Sequence, residues 1–464
     1  MGALPREFFN PRSVAVIGAT RKPGFGSGIP RLLKRLGYTD HLYLVNPREH
    51  EIEGLPVYRR VTDIPDPVDL AIVIVPRDHA RSVIEDCIAK NIHAVILETA
   101  GFSETGPEGA RMEREIADLI KDEPVRIIGP NCVGLINPHG RFTSTEVALE
   151  DITPGNIGVI AQSGVFGSIV ADWAPGQDLA VSSLVTIGNR LDVDEADVLY
   201  HFAQDATTDV IVLYLEGAKD GRRFRKALGE ASRRKPVLLY KSGRTEVGRR
   251  AAASHTGSMS GVDGLYEGLL KQAGVIRASS FQELFDLARV FSRQPLMKGT
   301  DTGIVSTSGS LGVMAADAAV QWGLRFPDLS PGTLEMIERQ APAWMNVKNP
   351  LDVGPSGLFG PGLEGLLRDS RIQGVIAIPV VPDSTMRLIA DRGMGPDVLT
   401  GDVEALRRLL PDKPVVTYTV GGAFWTSLAR KTIGPHFTMV RSAETAAKAL
   451  WALHRYYRFR RDNP

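Results

Sequence analysis

Short runs of valine, isoleucine and leucine alternate along this chain with longer stretches in which apolar residues return every three or four positions. That alternation predicts parallel strands joined by crossover helices, because a strand covered on both faces is apolar throughout while a covering helix needs only one apolar stripe. Strands are expected at residues 13–17, 41–45, 70–75, 94–97 and 126–128; at 156–161, 181–187, 210–215 and 237–240; and at 303–306, 324–326, 374–379, 414–419 and 438–440. The grouping predicts an α/β protein of three doubly wound parallel-sheet domains, Rossmann-like or flavodoxin-like, at residues 1–145, 150–295 and 300–460. Their joints fall near 145–155 and 293–302, where proline, lysine and glycine interrupt both periods.

Two of the expected strand-to-helix turns, about 145 residues apart, spell nearly the same pattern: Ser163, Gly164, Gly167 and Ser308, Gly309, Gly312, each followed by alanine-containing helical sequence. In such a Ser-Gly-x-x-Gly turn the glycines let backbone N–H groups crowd around an anion and the serine adds a hydroxyl donor. The helix start contributes about half a positive charge. Turns of this kind also close many sheets without holding anything. The duplication makes both of them candidate phosphate sites, two helix starts able to aim at phosphate from opposite sides.

The first expected strand runs into Gly18, Ala19, Thr20, Pro23, Gly24 and Gly26, a candidate nucleotide loop that departs from the G-x-G-x-x-G spacing. The second strand ends in Asn46, Pro47 and Arg48 where an NAD enzyme would place an acid, so a ligand with an extra phosphate, NADP or coenzyme A, fits better. Three more strand ends meet the same rim: Val75 and Pro76; Glu98, Thr99, Ala100 and Gly101; and the Gly/Pro/Asn-rich turn with Asn131. Cys132, with no basic neighbour in sequence, reads as a small buried side chain rather than a nucleophile. Among nine histidines, His255 sits in a segment of small residues expected to be a loop, the setting a phosphoryl-carrying imidazole needs. Glu216, directly after the strand at 210–215, is the carboxylate best placed to orient that ring.

Composition narrows the field. The 464 residues carry 54 basic and 54 acidic side chains, not the basic footprint of a nucleic-acid binder. Cys87 and Cys132 alone make neither a disulfide framework nor a zinc site. No stretch approaches the apolar length of a membrane span, so a reducing, cytoplasmic setting without a membrane is expected.

Taken in order, the blocks around Asn131 to Pro138, Ala161 to Gly167, Gly188 to Asp194, Tyr214 to Gly217, Ser254 to Gly257 and Asn349 to Val353 resemble the signature blocks of the ADP-forming acyl-CoA synthetases. The resemblance is to the alpha subunit of ADP-forming acetate–CoA ligase, within the succinyl-CoA synthetase superfamily. It implies a Rossmann-like CoA-binding domain followed by two flavodoxin-like domains, with His255 as phosphohistidine, Glu216 holding its ring, and the two Ser-Gly turns as phosphate cradles. The loop from Gly18 to Gly26, with Asn46, Arg48, Val75, Pro76, Glu98, Thr99, Ala100, Gly101 and Asn131, would lie along CoA. It further implies an ATP-grasp beta subunit in a hetero-oligomer, carrying ADP/ATP and Mg²⁺, with no metal on this chain; the substrates would be CoA and a small carboxylic acid. Two rival readings are a CoA- or acyl-CoA-sensing module, which has no use for both His255 and Glu216, and an NADP-dependent oxidoreductase, which has none for His255.

Overall fold

The computed structural model describes residues 4–146, 153–256 and 263–463, as backbone only at 252–256, 398, 399 and 409. The chain forms two compact units, residues 1–279 and 280–464. The first unit holds two sheets and the second holds one.

The first sheet contains β1 (Val14–Ile17), β2 (Leu42–Val45), β3 (Glu51–Ile52), β4 (Leu55–Tyr58), β5 (Leu70–Val73), β6 (Ala94–Leu97) and β7 (Arg126–Ile128), in the order β3-β4-β2-β1-β5-β6-β7. All neighbours are parallel except β3 and β4. The β3–β4 hairpin escapes the sequence reading because Pro56 argues against a strand and its turn is Glu53-Gly54. Both turn residues nonetheless take positive φ, 53° and 76°, as a tight two-residue hairpin turn requires. Val14, Val16, Leu70, Ile72, Ala94 and Ile96 are fully buried, as uniform apolar strands sandwiched between helices should be.

The second sheet contains β8 (Leu135–Asn137), β9 (Phe142–Thr143), β10 (Pro154–Ala161), β11 (Val181–Thr186), β12 (Val210–Leu215), β13 (Val237–Lys241) and β14 (Ile276–Arg277), in the order β14-β13-β12-β10-β11-β8-β9. Its edge pair β8–β9 comes from upstream of the segment that forms the sheet's centre; β8 lies antiparallel to β11, and β9 antiparallel to β8. The Thr186 hydroxyl pins this junction, accepting from Val133 N–H (3.0 Å) and donating to Gly134 O (2.8 Å).

The second unit carries β15 (Thr302–Ser306), β16 (Leu351–Asp352), β17 (Gly374–Ile378), β18 (Val415–Tyr418) and β19 (Met439–Val440), all parallel, in the order β16-β15-β17-β18-β19. The strand expected at 324–326 is a single bridge between Asp301 and Arg325. Gly323 at φ 77° turns the chain into it and Pro327 removes the donor that would extend the ladder.

A larger difference concerns the segment expected as a loop around His255. It is a helix, Glu246–Thr256. Three consecutive alanines, 251–253, are strong helix formers and Glu246 complements the dipole of the first turn. His255 therefore sits in a last helical turn; its side chain, and residues 257–262, lie outside the described part.

In the helix Glu195–Gln204, His201 stacks on Phe9 with ring centroids 3.8 Å apart, and burial lowers its pKa to about 4, with Asp205 opposing and Lys235 assisting. An unfolded histidine titrates near 6.5. The unfolded chain thus binds the extra proton first, so His201 adds stability that is full above about pH 6.5 and is lost as pH falls through about 4. Denaturant melts at pH 7.5 and 5 should show lower stability at pH 5, and His201→Phe, which keeps the stack but cannot titrate, should shrink the difference; an unchanged difference refutes the assignment.

Candidate functional site

Ser163 closes β10 and caps the helix Gly164–Trp173, its hydroxyl accepting from Phe166 N–H at 3.4 Å. The expected strand-to-helix turn therefore exists. Gln162, one residue earlier, is buried, and its side-chain oxygen accepts from Glu216 N–H (2.9 Å) and Gly217 N–H (3.2 Å). This amide clamps the end of β12 against the Ser163 turn, so Glu216 arrives where the sequence placed it, buried, with Tyr214 Oη donating to its Oε1 at 3.3 Å. Arg190 secures Gly217 from the other side, donating to its carbonyl while paired at 3.1 Å with the buried Glu195. Sequence reasoning gave Gln162 no role. An amide between a strand and a Ser-Gly turn is the signal that points to it, since a buried side chain there must find backbone partners.

A cavity of about 570 Å³ opens at this helix start, lined by Ser163, Gly164 and Gln162 of the second sheet and by Val75, Pro76, Glu98, Thr99, Ala100 and Asn131 of the first. A second cavity, about 600 Å³, holds Gly18, Asn46, Arg48, Arg59 and Arg60. Ile74, Val75 and Pro76 belong to both walls, so the two lie side by side beyond the end of β5. This is the carboxyl-end crevice where open α/β sheets bind ligands. The arginines at one end suit phosphates; the helix start at the other suits a second anion. Arg59, Arg60, Phe25, Arg77 and Asn189 complete these walls and were not singled out in the sequence.

Other expected residues stand elsewhere. Ala19, Thr20, Pro23, Gly24, Gly26 and Gly101 do not line either cavity. Ala19 is buried and its carbonyl accepts from Asn46 Nδ2 at 2.8 Å, fixing the loop to β2. The Gly101 N–H is taken by the Glu104 carboxylate, which also accepts from Asn189 Nδ2 at 2.6 Å. The helix Glu246–Thr256 packs against the turn Ser103–Thr105 that carries Glu104. Cys132 is buried, its thiol donating to Leu97 O at 3.5 Å and pushed up by burial and by Glu98. It stays a thiol, as the sequence suggested.

In the second unit Ser308 precedes the helix Gly309–Gln321 without capping it by its side chain; its hydroxyl meets Ser310 Oγ at 3.1 Å. The Asp352 carboxylate lies against Gly309 Cα, in the space a side chain there would fill. An anion at this helix start would meet that negative charge. Among the described residues no cluster of side chains has metal-ligand geometry, and no helix is long and apolar enough to cross a membrane.

Residues 12–138 match the model of a CoA binding domain, and residues 154–291 that of a succinyl-CoA ligase like flavodoxin domain. The chain is 35% identical over 458 residues to the alpha subunit of ADP-forming acetate–CoA ligase I of Pyrococcus furiosus, covering 97% of each. It is 40% identical over 346 residues to the ADP-forming acetate–CoA ligase of Methanocaldococcus jannaschii, 74% of this chain but only 48% of that one. The chain thus spans about half the length of that relative. A solved dinucleotide-forming acetyl-coenzyme A synthetase 1 of Ca. Korarchaeum cryptofilum, in complex with phosphate and ADP, superposes with a TM-score of 0.89 at 30% identity, over 98% of this chain and 97% of that one.

Proposed function

Because the chain belongs to the family of ADP-forming acetate–CoA ligases, we propose that it binds CoA and carries the phosphoryl group of an ADP-forming acyl-CoA synthetase. The observation that supports this most is the pair of adjacent cavities between the arginines around Arg48 and the helix start at Gly164, with Glu216 clamped beside it. In this reading phosphate attacks the acyl carbon of acyl-CoA, giving acyl phosphate and free CoA. The phosphoryl group then moves to His255, releasing the carboxylic acid, and from His255 to ADP. Ser163 and the amide of Gly164 hold phosphate, with Gly167, whose own N–H bonds to Ser163 O, letting the helix start lie close to β11; Glu216 orients the ring of His255. The turn at Ser308 would cradle the phosphoryl group at a later stage, although Asp352 makes it the weaker of the two.

ADP/ATP and Mg²⁺ would sit on an ATP-grasp beta subunit, in a hetero-oligomer, and the substrate acid would be small. We also take each sheet, with its helices, as one domain, which moves β8 and β9 out of the expected first segment, 1–145, into the second domain.

Thermal melting tests the ligand. At 100 times its dissociation constant, CoA should stabilise the chain by about 2.7 kcal/mol, and NADP at the same concentration should leave the melting point unmoved. A shift with NADP alone would replace this reading with the oxidoreductase one.

A further inference from the structure

Glu98, directly after β6, lines the 570 Å³ cavity, only 2% exposed, and neither carboxylate oxygen has a hydrogen-bond partner. Its surroundings are neutral or negative. Ser144, whose hydroxyl accepts from Leu135 N–H, lies beside it. Glu98 Oε1 is 2.7 Å from where a Cβ on Gly134 would stand, so this oxygen presses on the bare Gly134 backbone. The titratable neighbours are Cys132, from the turn after β7, and Glu146, whose own carboxylate accepts from Gly28 N–H at 2.7 Å. Arg77, on the same cavity wall, donates to Gly101 O instead. Burial first, then the charge of Glu146, push the Glu98 carboxyl well above the usual carboxylate range, against a smaller pull from Ser144. Buried, unpaired and facing a ligand cavity, Glu98 favours the neutral acid over the carboxylate.

Coenzyme A has phosphates at one end, a thiol at the other and a flexible arm between. With its phosphates among Arg48, Arg59 and Arg60 and its arm over Val75 and Pro76, its sulfur comes to the wall that holds Glu98. Resting on the function proposed above, we propose that Glu98 is the acid–base group for the thiol of coenzyme A. When hydrogen phosphate displaces CoA, an oxygen–carbon bond to the acyl group forms and the carbon–sulfur bond breaks. The bonding pair goes to sulfur, and Glu98 gives its proton to that sulfur. The proton lost by the attacking hydrogen phosphate restores the acid. In reverse, Glu98 as carboxylate takes the thiol proton while sulfur attacks the acyl phosphate.

The test uses the chain paired with its ATP-grasp subunit. Glu98→Gln keeps the shape and neutrality of the acid but cannot release a proton. Conversion of acyl-CoA and phosphate to acyl phosphate should fall on the order of 10²–10⁴-fold. Phosphohistidine formation from ATP, which leaves sulfur untouched, should stay within about threefold, as should CoA affinity. A CoA analogue whose thiol has a lower pKa leaves without needing the proton, so as its acyl thioester it should narrow the defect. Equal slowing with both thioesters, or normal rates with both, overturns the role of Glu98. Should the glutamine variant not fold, Glu98→Asp is compared on the same two thioesters, with equal slowing again the contrary result. A wild-type pair that makes no acyl phosphate from acyl-CoA overturns the proposed function itself, so the two failures are distinguishable.

Discussion

Replacing His255 with alanine should abolish transfer of phosphate from ATP to this chain, a loss of at least on the order of 10³-fold, while CoA binding is retained. The expected size of the effect follows from the role. A carrier forms and breaks a covalent bond to phosphorus, so no neighbour that merely stabilises charge replaces it. Its location is consistent with that role. The helix Glu246–Thr256 brings His255 to its last turn and packs on the Ser103–Thr105 turn, whose Glu104 accepts from Gly101 N–H and from Asn189, a residue of the cavity wall. The end of that helix is the negative end of its dipole and does nothing to hold phosphate. The positive partner must come from elsewhere; in the proposed function it is the helix start at Gly164, in the same compact unit. Acid-labile label measured on the paired subunits decides the matter: full labelling of His255→Ala would move the carrier to another residue.

Gly167→Ala should destabilise the first unit by about 1–3 kcal/mol, although an alanine in an exposed helix interior would ordinarily stabilise by up to about 1 kcal/mol. The sign reverses because Gly167 is buried in the first turns of the helix Gly164–Trp173, where a Cβ would collide with Thr186 Cγ2 and stand 3.1 Å from Leu184 Cδ2. Both neighbours belong to β11, and Thr186 is the residue whose hydroxyl fixes Val133 and Gly134. The helix cannot retreat without moving Gly164 and Ser163, so affinity for inorganic phosphate should fall as well. Chemical denaturation and phosphate titration read the two effects; a variant as stable as the parent, with phosphate affinity intact, would show that the helix start has room to spare.

How much of this could be read from the sequence differs by feature. The centres of all three sheets were legible, because strands such as β1 and β5 are buried on both faces and so apolar without interruption. Several short outer strands were not. β3, β8, β9, β14 and β16 are only two or three residues long and need no apolar run, being held by neighbours such as Thr186 or by hairpin geometry, whereas the edge strands β7 and β19 coincide with the runs expected at 126–128 and 438–440. The pattern also put the expected loop of small residues where a helix stands, since small residues that permit a loop are, when they are alanines, also the best helix formers. At the site, Ser163, Gly164, Val75, Pro76, Glu98 and Asn131 were recognisable as strand-end residues, and the structure brings them to one cavity. Gln162 and Arg190 were not, because their contribution is to clamp Glu216 and Gly217 by contacts that span 54 and 27 residues of sequence. The unpaired burial of the Glu98 carboxyl was equally invisible, as it depends on which neighbours fail to reach it.

The most direct test of the account gives the chain and its ATP-grasp subunit labelled ATP and Mg²⁺, and locates the label by mass spectrometry before and after CoA and a short carboxylic acid are added. The account predicts an acid-labile phosphate on His255 that disappears, with formation of acyl-CoA, only when both acid and CoA are present. Label on any other residue, or label that CoA and acid leave in place, would contradict it.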